Sequence, residues 1–432
     1  MGINFPSSPL VGELYPNPAL ANKPQYRWDG QTWTATGGQA GGIYVGDTPP
    51  PTPVPDNALW WKSDTGELLI RYNDGSSTQW VEATAVPSVD TSMFALKTEA
   101  APLDALSYSG MQINGSMEVS QELGGSPIAV VGGAFIVDGW SIQSSGAQIP
   151  SAGQTITAPP GYSASLNVQF ASGANAAPAA GHFVFYQQNI EGYRVSRLAW
   201  GTASAQPITI GFWVWAVRTG TYSGAVRNGA NNRSYVFNFT VNASSTFEYK
   251  TVTVPGDTAG TWATGNTTGL ALVFAVMAGT TYQTAAGVWT AGNFIGSTGT
   301  INGAQVTSDS IAITGVVVLP GIQAPTAAQS PLIMRPFDQE LLTCQRYYQS
   351  QGFIAFGSST TVGEDYRGHY AKIIPMRNNA TMLYVENAAN AGFAATPGSF
   401  AQSYDAIVEM RKATETRGTS YFQTTFDLDA RL

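Results

Sequence analysis

Between residues 111 and 322 the chain repeats one pattern, short runs that alternate apolar and polar residues with a period of two. In 165–170, Leu166, Val168 and Phe170 share one face; in 235–241, Tyr235, Phe237, Phe239 and Val241 do. The runs 181–187, 193–200, 208–217, 248–254, 270–277 and 310–319 read the same way, with Gly/Asn/Ser turns between them and no helical stretch. Strands of this kind, each with one apolar face, must cover that face with another sheet. The pattern therefore predicts an all-β chain centred on one jelly-roll β-sandwich at 111–322.

The N-terminal part carries an internal repeat. Residues 25–33 read Q-Y-R-W-D-G-Q-T-W and residues 69–80 read L-I-R-Y-N-D-G-S-S-T-Q-W. Each places Arg and an aromatic before Asp-Gly and closes on Trp. This predicts two hairpins, because Gly takes the positive φ that a hairpin turn demands. We expect a hairpin module at 1–36, a Gly/Pro-rich spacer at 37–56, a second hairpin module at 57–84 and a linker with short helical turns at 85–110. Hairpins this small hold no core of their own. Trp28, Trp33, Trp60, Trp61 and Trp80 are therefore expected to bury against a partner. A C-terminal unit, 331–432, opens with a short amphipathic helix over 338–348, with Asp338 as its N-cap, and is mostly β thereafter.

Composition limits the function classes. Charged residues make up 11% of the chain, beside 47 Gly and 25 Pro, and the net charge is −8. So few charges suit a chain whose surface is covered in a multimer, and a homo-oligomer is expected. The absence of a basic tract argues against nucleic-acid binding. No apolar run is long enough for a membrane span, so membrane insertion is not expected. The opening residues lack the basic and apolar regions of a secretory signal. Cys344 is the single cysteine and reads as a buried apolar side chain on a helix.

Several of these phrases carry a family resemblance. Phe5-Pro6-Ser7-Ser8-Pro9 with Tyr26-x-Trp28-Asp29-Gly30-x-x-Trp33 resembles the opening of tailed-bacteriophage fibre and appendage proteins. Asn57-Ala58-Leu59-Trp60-Trp61 through Asn73-Asp74-Gly75 to Gln79-Trp80 resembles a second module of the same proteins. Ile113-Asn114-Gly115-Ser116-Met117-Glu118, Asp138-Gly139-Trp140, the strand 207–214 and the strand 311–316 resemble galactose-binding-like, carbohydrate-binding jelly rolls. Arg197-Leu198-Ala199-Trp200-Gly201-Thr202, the run 220–224 and Pro255-Gly256-Asp257-Thr258 are similar to a jelly-roll domain of phage tail proteins. Glu340-Leu341-x-x-Cys344-Gln345-Arg346-Tyr347-Tyr348 and the closing run 426–432 resemble a small C-terminal domain of phage fibres. The resemblance implies a virion protein, assembled in the host cytoplasm, with other virion proteins and host surface polysaccharide as partners. By analogy with fibres, it implies a trimer. In the carbohydrate-binding families a structural calcium uses the opening Glu and an Asp of the last strand; Glu118 matches the first, whereas Ala312, Thr314 and Gly315 stand in the region of the second.

Catalytic signatures are missing from the sequence. His182 and His369 are the only histidines, and no metalloprotease, nucleophile-elbow or phosphate-loop motif is present. We expect no enzyme, no catalytic residue and no cofactor. Sugars are recognised by aromatic faces with amides and carboxylates around them. In 209–219, Ile210, Phe212, Val214 and Ala216 form the core face, so Trp213 and Trp215 project from the other. They are candidates for glycan stacking or subunit contact, as are Trp262 and Trp289 in Gly/Thr-rich loops. The reading is a tail fibre, spike or similar appendage with N-terminal docking and glycan recognition. An architectural decoration or collar protein, and a polysaccharide-degrading spike enzyme, stay open beside it.

Overall fold

The computed structural model describes residues 5–18, 20, 25–35, 43–83, 110–146, 149–359, 361–362, 365–371, 374–378, 380–391, 399–402, 407–413 and 418–432; over much of 351–426 it describes the backbone alone. The expected linker turns at 85–110 lie outside the described residues, Gly110 excepted. The chain forms two compact units, Met1–Ala100 and Ala101–Leu432.

In the first unit both Asp-Gly phrases turn hairpins, each through the same four-residue loop. β1 (Leu14–Tyr15), β2 (Tyr26–Trp28) and β3 (Trp33–Ala35) make a three-stranded sheet with Trp28 opposite Trp33. Asp29 Oδ1 accepts the N–H groups of Gln31 and Thr32 (2.8 and 2.7 Å), and Gly30 takes φ +106°. Asp74 likewise accepts the N–H groups of Ser76 and Ser77, with Gly75 at φ +88°. These bonds hold both carboxyls below their usual range. The second sheet joins β4 (Ile43–Gly46), β5 (Leu59–Lys62), β6 (Glu67–Asn73) and β7 (Thr78–Glu82). The expected spacer thus contributes a strand, since β4 lies within 37–56 and runs parallel to β5.

The second unit is built on two antiparallel sheets packed face to face. In chain order its strands are β8 (Ile128–Ala129), β9 (Gly133–Val137), β10 (Trp140–Ser144), β11 (Ser151–Thr155), β12 (Ser165–Gln169), β13 (Phe183–Glu191), β14 (Ile208–Ala216), β15 (Gly220–Arg227), β16 (Arg233–Val241), β17 (Glu248–Val254), β18 (Thr268–Ala278), β19 (Trp289–Ala291) and β20 (Ser310–Pro320). One sheet has the order β19-β16-β15-β18-β13-β10-β9, the other β17-β14-β20-β12-β11-β8. Between them lies a single core in which Trp140, Phe170, Tyr186, Phe212, Tyr222 and Phe274 are fully buried. Phe212 and Phe274 meet edge-tilted at 4.6 Å, one from each sheet.

The run 193–200 departs from the strand reading. It forms one helical turn, Gly192–Val195, and a 3-10 turn, Ser196–Leu198. Val195 and Leu198, three apart, bury their side chains, while Tyr193 is 65% exposed. Gly192 and Tyr193 donate their N–H groups to Thr267 and Gly265, drawing the turn against the loop ahead of β18.

After β20, α1 (Phe337–Gln345) leads into β21 (Tyr348–Ser359), β22 (Asp365–Ala371), β23 (Thr381–Ala391), β24 (Ser399–Gln402), β25 (Ile407–Ala413) and β26 (Gly418–Asp429). They form two three-stranded sheets, β21-β26-β23 and β22-β25-β24. The N-cap of α1 is Pro336, not Asp338, which lies in the first turn where a carboxylate suits the helix dipole. The helix also buries Glu340 and Gln345 with Cys344 while Phe337 and Leu342 stay exposed. Its inner face is ordered by a polar network: Glu340 receives Arg335 (2.9 Å) and the N–H of Asn114 (2.8 Å).

Candidate functional site

The outer face of the six-stranded sheet carries a cleft of 420 Å³. Alternation places its floor. In β12 the residues that alternate with Leu166 and Val168 face outward, so Ser165, Asn167 and Gln169 line the cleft. One row across the sheet runs Trp215, Ala312, Asn167, Gly153, paired strand to strand. The small residues between Trp215 and the far strand leave the depression that the indole overlooks. Phe247 lines the same side as Trp215, and Thr155 and Thr157 line the opposite one. Thr307, Ser308, Asp309 and Ser310 close an end.

The polar groups here are mostly hydroxyls and amides. Asn167 Nδ2 donates to Ser310 Oγ at 3.0 Å. Asp309 is the one carboxylate among the lining residues, and it is committed: Arg218 binds both its oxygens (3.1 and 3.0 Å) and the N–H of Val306 donates to Oδ2. The lining includes no Lys, Arg or His.

Hydrogen bonding separates Trp215 from the other indoles of the sandwich. The indole N–H groups of Trp140, Trp200, Trp213, Trp262 and Trp289 all donate within the chain, to Ile113 and Asn114 O, Gln206 O, Ser330 Oγ, Ala259 O and Pro255 O respectively. That of Trp215 has no partner among the described residues. A half-buried aromatic with a spare donor, beside a hydroxyl-rich floor, has an apolar face and a polar edge to offer a ligand.

The other candidates have different surroundings. Trp213, two residues from Trp215 on the same face of β14, packs on Tyr249 at 5.4 Å and is bonded to Ser330. Pro331 and Leu332 line the apolar hollow beside it. Trp262 and Trp289 meet Trp200 in a three-indole cluster with centroids 4.6–5.5 Å apart. With their N–H groups satisfied by backbone carbonyls, these three staple loops to the sandwich edge. Arg233, paired with Asp257 at 2.7 Å, lies over the Trp289 ring. In the first unit Trp33 stacks on Phe5 at 5.0 Å and meets Trp28 at 5.6 Å. Trp60 is buried, bonded to Gly46 O and packed edge-on against Trp80; Trp61 is 41% exposed. His182 accepts the N–H of Ala179 at Nδ1, a bond within its own loop. Glu118 accepts the hydroxyls of Ser163 and Ser116.

The sequence reading missed the floor and the second aromatic. Ser165, Asn167 and Gln169 were legible as the polar partners of the apolar face of β12. Phe247 was not, since it precedes its strand in an irregular segment.

No family model matches the chain, and no curated protein matches it in sequence. Among solved structures it is similar to the enzymatically active domain of tailspike protein 4 of bacteriophage CBA120, at 13% identity over 50% of this chain and 22% of that one, with a TM-score of 0.27. It is also similar to the family 11 carbohydrate-binding module of Clostridium thermocellum in complex with a β-1,3-1,4-mixed-linked tetrasaccharide, at 11% identity over 45% of this chain and 100% of the module, TM-score 0.23. TmCBM61 in complex with β-1,4-galactotriose matches at 10% identity over 42% of this chain and 88% of that one, TM-score 0.22. The chain thus spans less than a quarter of the tailspike domain's length and most of the length of each binding module.

Proposed function

We propose that this is a non-catalytic, glycan-binding appendage protein of a tailed-phage virion, and that the cleft beside Trp215 is its glycan site. The observation that carries the glycan reading is the uncommitted indole of Trp215 over a floor of hydroxyls and amides. A pyranose stacks its C–H face on such a ring and exchanges hydrogen bonds with Asn167, Gln169 and the surrounding hydroxyls. The lining favours neutral sugars. It presents no cation to a uronate or sulfate, and its one carboxylate, held by Arg218, supplies negative charge at the cleft's end. That single committed carboxylate also supports binding without hydrolysis, since glycosidases use a pair. The virion reading rests on the resemblance of the N-terminal phrases, supported by the two modules repeating the same Asp-capped loop. A homo-oligomer, with a trimer by analogy, belongs to the same reading.

Affinity electrophoresis of the full chain in gels containing neutral or uronate-rich bacterial surface polysaccharides tests it. Retardation by a neutral polymer is expected, and Trp215→Ala should weaken it by about 1–3 kcal/mol, roughly five- to 150-fold. Equal retardation of the wild type and the variant refutes the site. Release of reducing ends refutes the non-catalytic reading. Incorporation into particles without any glycan binding favours a purely architectural part.

A further inference from the structure

The resemblance to carbohydrate-binding jelly rolls implies a structural calcium at the corner where the opening loop meets the last strand. The donors at that corner do not fit one. The loop 114–118 turns through Asn114 (φ +49°) and Met117 (φ +60°). It is clamped to β20 at Gly115, where Val316 N–H donates to Gly115 O and a Cβ would stand 2.1 Å from Val316 O. This turns a row of carbonyl oxygens toward β11 and β20. Gln154 Nε2 donates to Met117 O at 2.7 Å and to Glu118 O at 3.0 Å, one amide proton for each. Thr314 Oγ1 donates to Ala164 O at 2.8 Å and shares the same proton with Ser116 O at 3.1 Å. The two oxygens of Glu118 take the hydroxyls of Ser163 (2.6 Å) and Ser116 (3.1 Å).

Six oxygens of this corner are thus engaged, as many as the smallest usual calcium shell of about six. Each already accepts a hydrogen bond from a neutral side chain. An amide NH₂ is a donor and not a ligand, and its two protons already occupy Met117 O and Glu118 O. The formal charge available is one carboxylate, and among the described residues no group of three or more His, Cys, Asp or Glu side chains gathers around a common point. We infer that Gln154 and Thr314 lock this corner with hydrogen bonds in place of a cation, so that the sandwich is stable without divalent metal.

Thermal unfolding of the full chain in chelator and in millimolar calcium chloride tests the inference. The two midpoints should coincide, and calorimetric titration with calcium should give no binding heat. A midpoint raised several degrees by calcium, or lowered by chelator, overturns the inference. Thr314→Asp supplies the second carboxylate. With the Gln154 donors still in place, it should unfold several degrees lower in chelator and in calcium alike; a variant that calcium restores to the parent midpoint counts against the lock by Gln154. Gln154→Leu removes both amide donors without adding charge. It should lower the midpoint equally with and without calcium, and this holds the test open if Thr314→Asp does not fold. A Gln154→Leu protein as stable as the parent, or one rescued by calcium, also overturns it.

Discussion

Trp213 and Trp215 show how far one residue's surroundings decide its role. They share a strand, a face and a residue type, yet Trp213 is bonded to Ser330 while the indole N–H of Trp215 has no partner among the described residues. Alternation along the strand sets their face. It held no information on which long-range segment crosses that face, because Ser330 lies 117 positions away. Asp138 is a second residue governed by its surroundings. It is buried, and desolvation pushes its carboxyl from 3.8 up to about 6 despite the donors of Gln121. In the unfolded chain it loses its proton near 3.8, whereas the folded chain holds the proton to about 6. Within that window the native state binds more protons, so stability falls as pH rises and then levels off, by roughly 3 kcal/mol in all. Asp138→Asn keeps an acceptor for the Gln121 backbone N–H and removes the titrating carboxyl, while Gln121 Nε2 keeps its bond to Tyr348 O. Its denaturation midpoint, followed from pH 4 to pH 7, should lack this slope relative to wild type. An unchanged slope would assign the pH dependence to another group.

At the scale of elements, the sheet face around Trp213 depends on an irregularity in β20. Ile311 and Ile313 point into the core, and so do Val316 and Val318, a change of parity that requires one extra residue. Pairing with β14 shifts register between Gly211 and Trp213, opposite Gly315 at φ +60°. A Cβ on Gly315 would stand 2.7 Å from the Tyr162 ring and 2.8 Å from Trp213 Cδ1. Gly315→Ala should therefore cost about 1–3 kcal/mol in denaturant unfolding, through backbone strain and displacement of two rings. Glycan retention should persist, since Trp215 pairs with Ala312 on the other side of the bulge. Loss of binding with unchanged stability would contradict this division. Elements of this kind mark the limit of sequence reading. β16 was legible because Tyr235, Phe237, Phe239 and Val241 alternate cleanly along its core face. β15 was not, because Thr221, Ser223, Gly224 and Ala225 hide its period, and Gly224 is small because the Phe237 ring and Val273 O press on it. At 193–200 a local alternation of apolar residues concealed the i, i+3 pair that the turn buries. The cleft floor was half legible: outward positions of β12 follow from its inward ones, but the pairing that sets Asn167 beside Ala312 and Trp215 is long-range.

At the scale of the whole molecule, the run after β20 is stitched into the sandwich instead of hanging from it. Ile113 and Val119 of the opening loop form a buried cluster with Cys344 and Tyr347 of the C-terminal segment. Arg335 reaches Gly110 O and Gln112 O. Arg346 pairs with Glu191 at 2.7 Å, and the Tyr347 hydroxyl donates to the same carboxylate at 2.8 Å. Burial alone would raise the Glu191 carboxyl; the bonds from Arg346 and Tyr347 outweigh it and hold the pKa below the usual range. Arg377 bonds Asn266 O, and Arg431 pairs with Glu122 while lying between the rings of Phe135 (4.3 Å) and Tyr348 (4.6 Å). Residues 331–432 and the sandwich are thus expected to unfold together. A chain truncated after residue 334 would strip Glu191 of Arg346 and Tyr347 and uncover Ile113 and Val119. The lost ion pair and the uncovered apolar area both count against the truncated fold. Such a truncation should show a much lower unfolding midpoint or fail to accumulate as a soluble protein, whereas a chain lacking residues 1–100 should keep the parent midpoint for its main transition. Arg346→Met separates charge from bulk: at neutral pH it should lower the midpoint, and the deficit should shrink as the pH drops below the carboxylate range, where Glu191 is protonated and the wild-type pair is lost too. If the 335–432 truncation unfolds at the wild-type midpoint, the C-terminal segment is an independent domain and the contacts around Glu191 carry no stability.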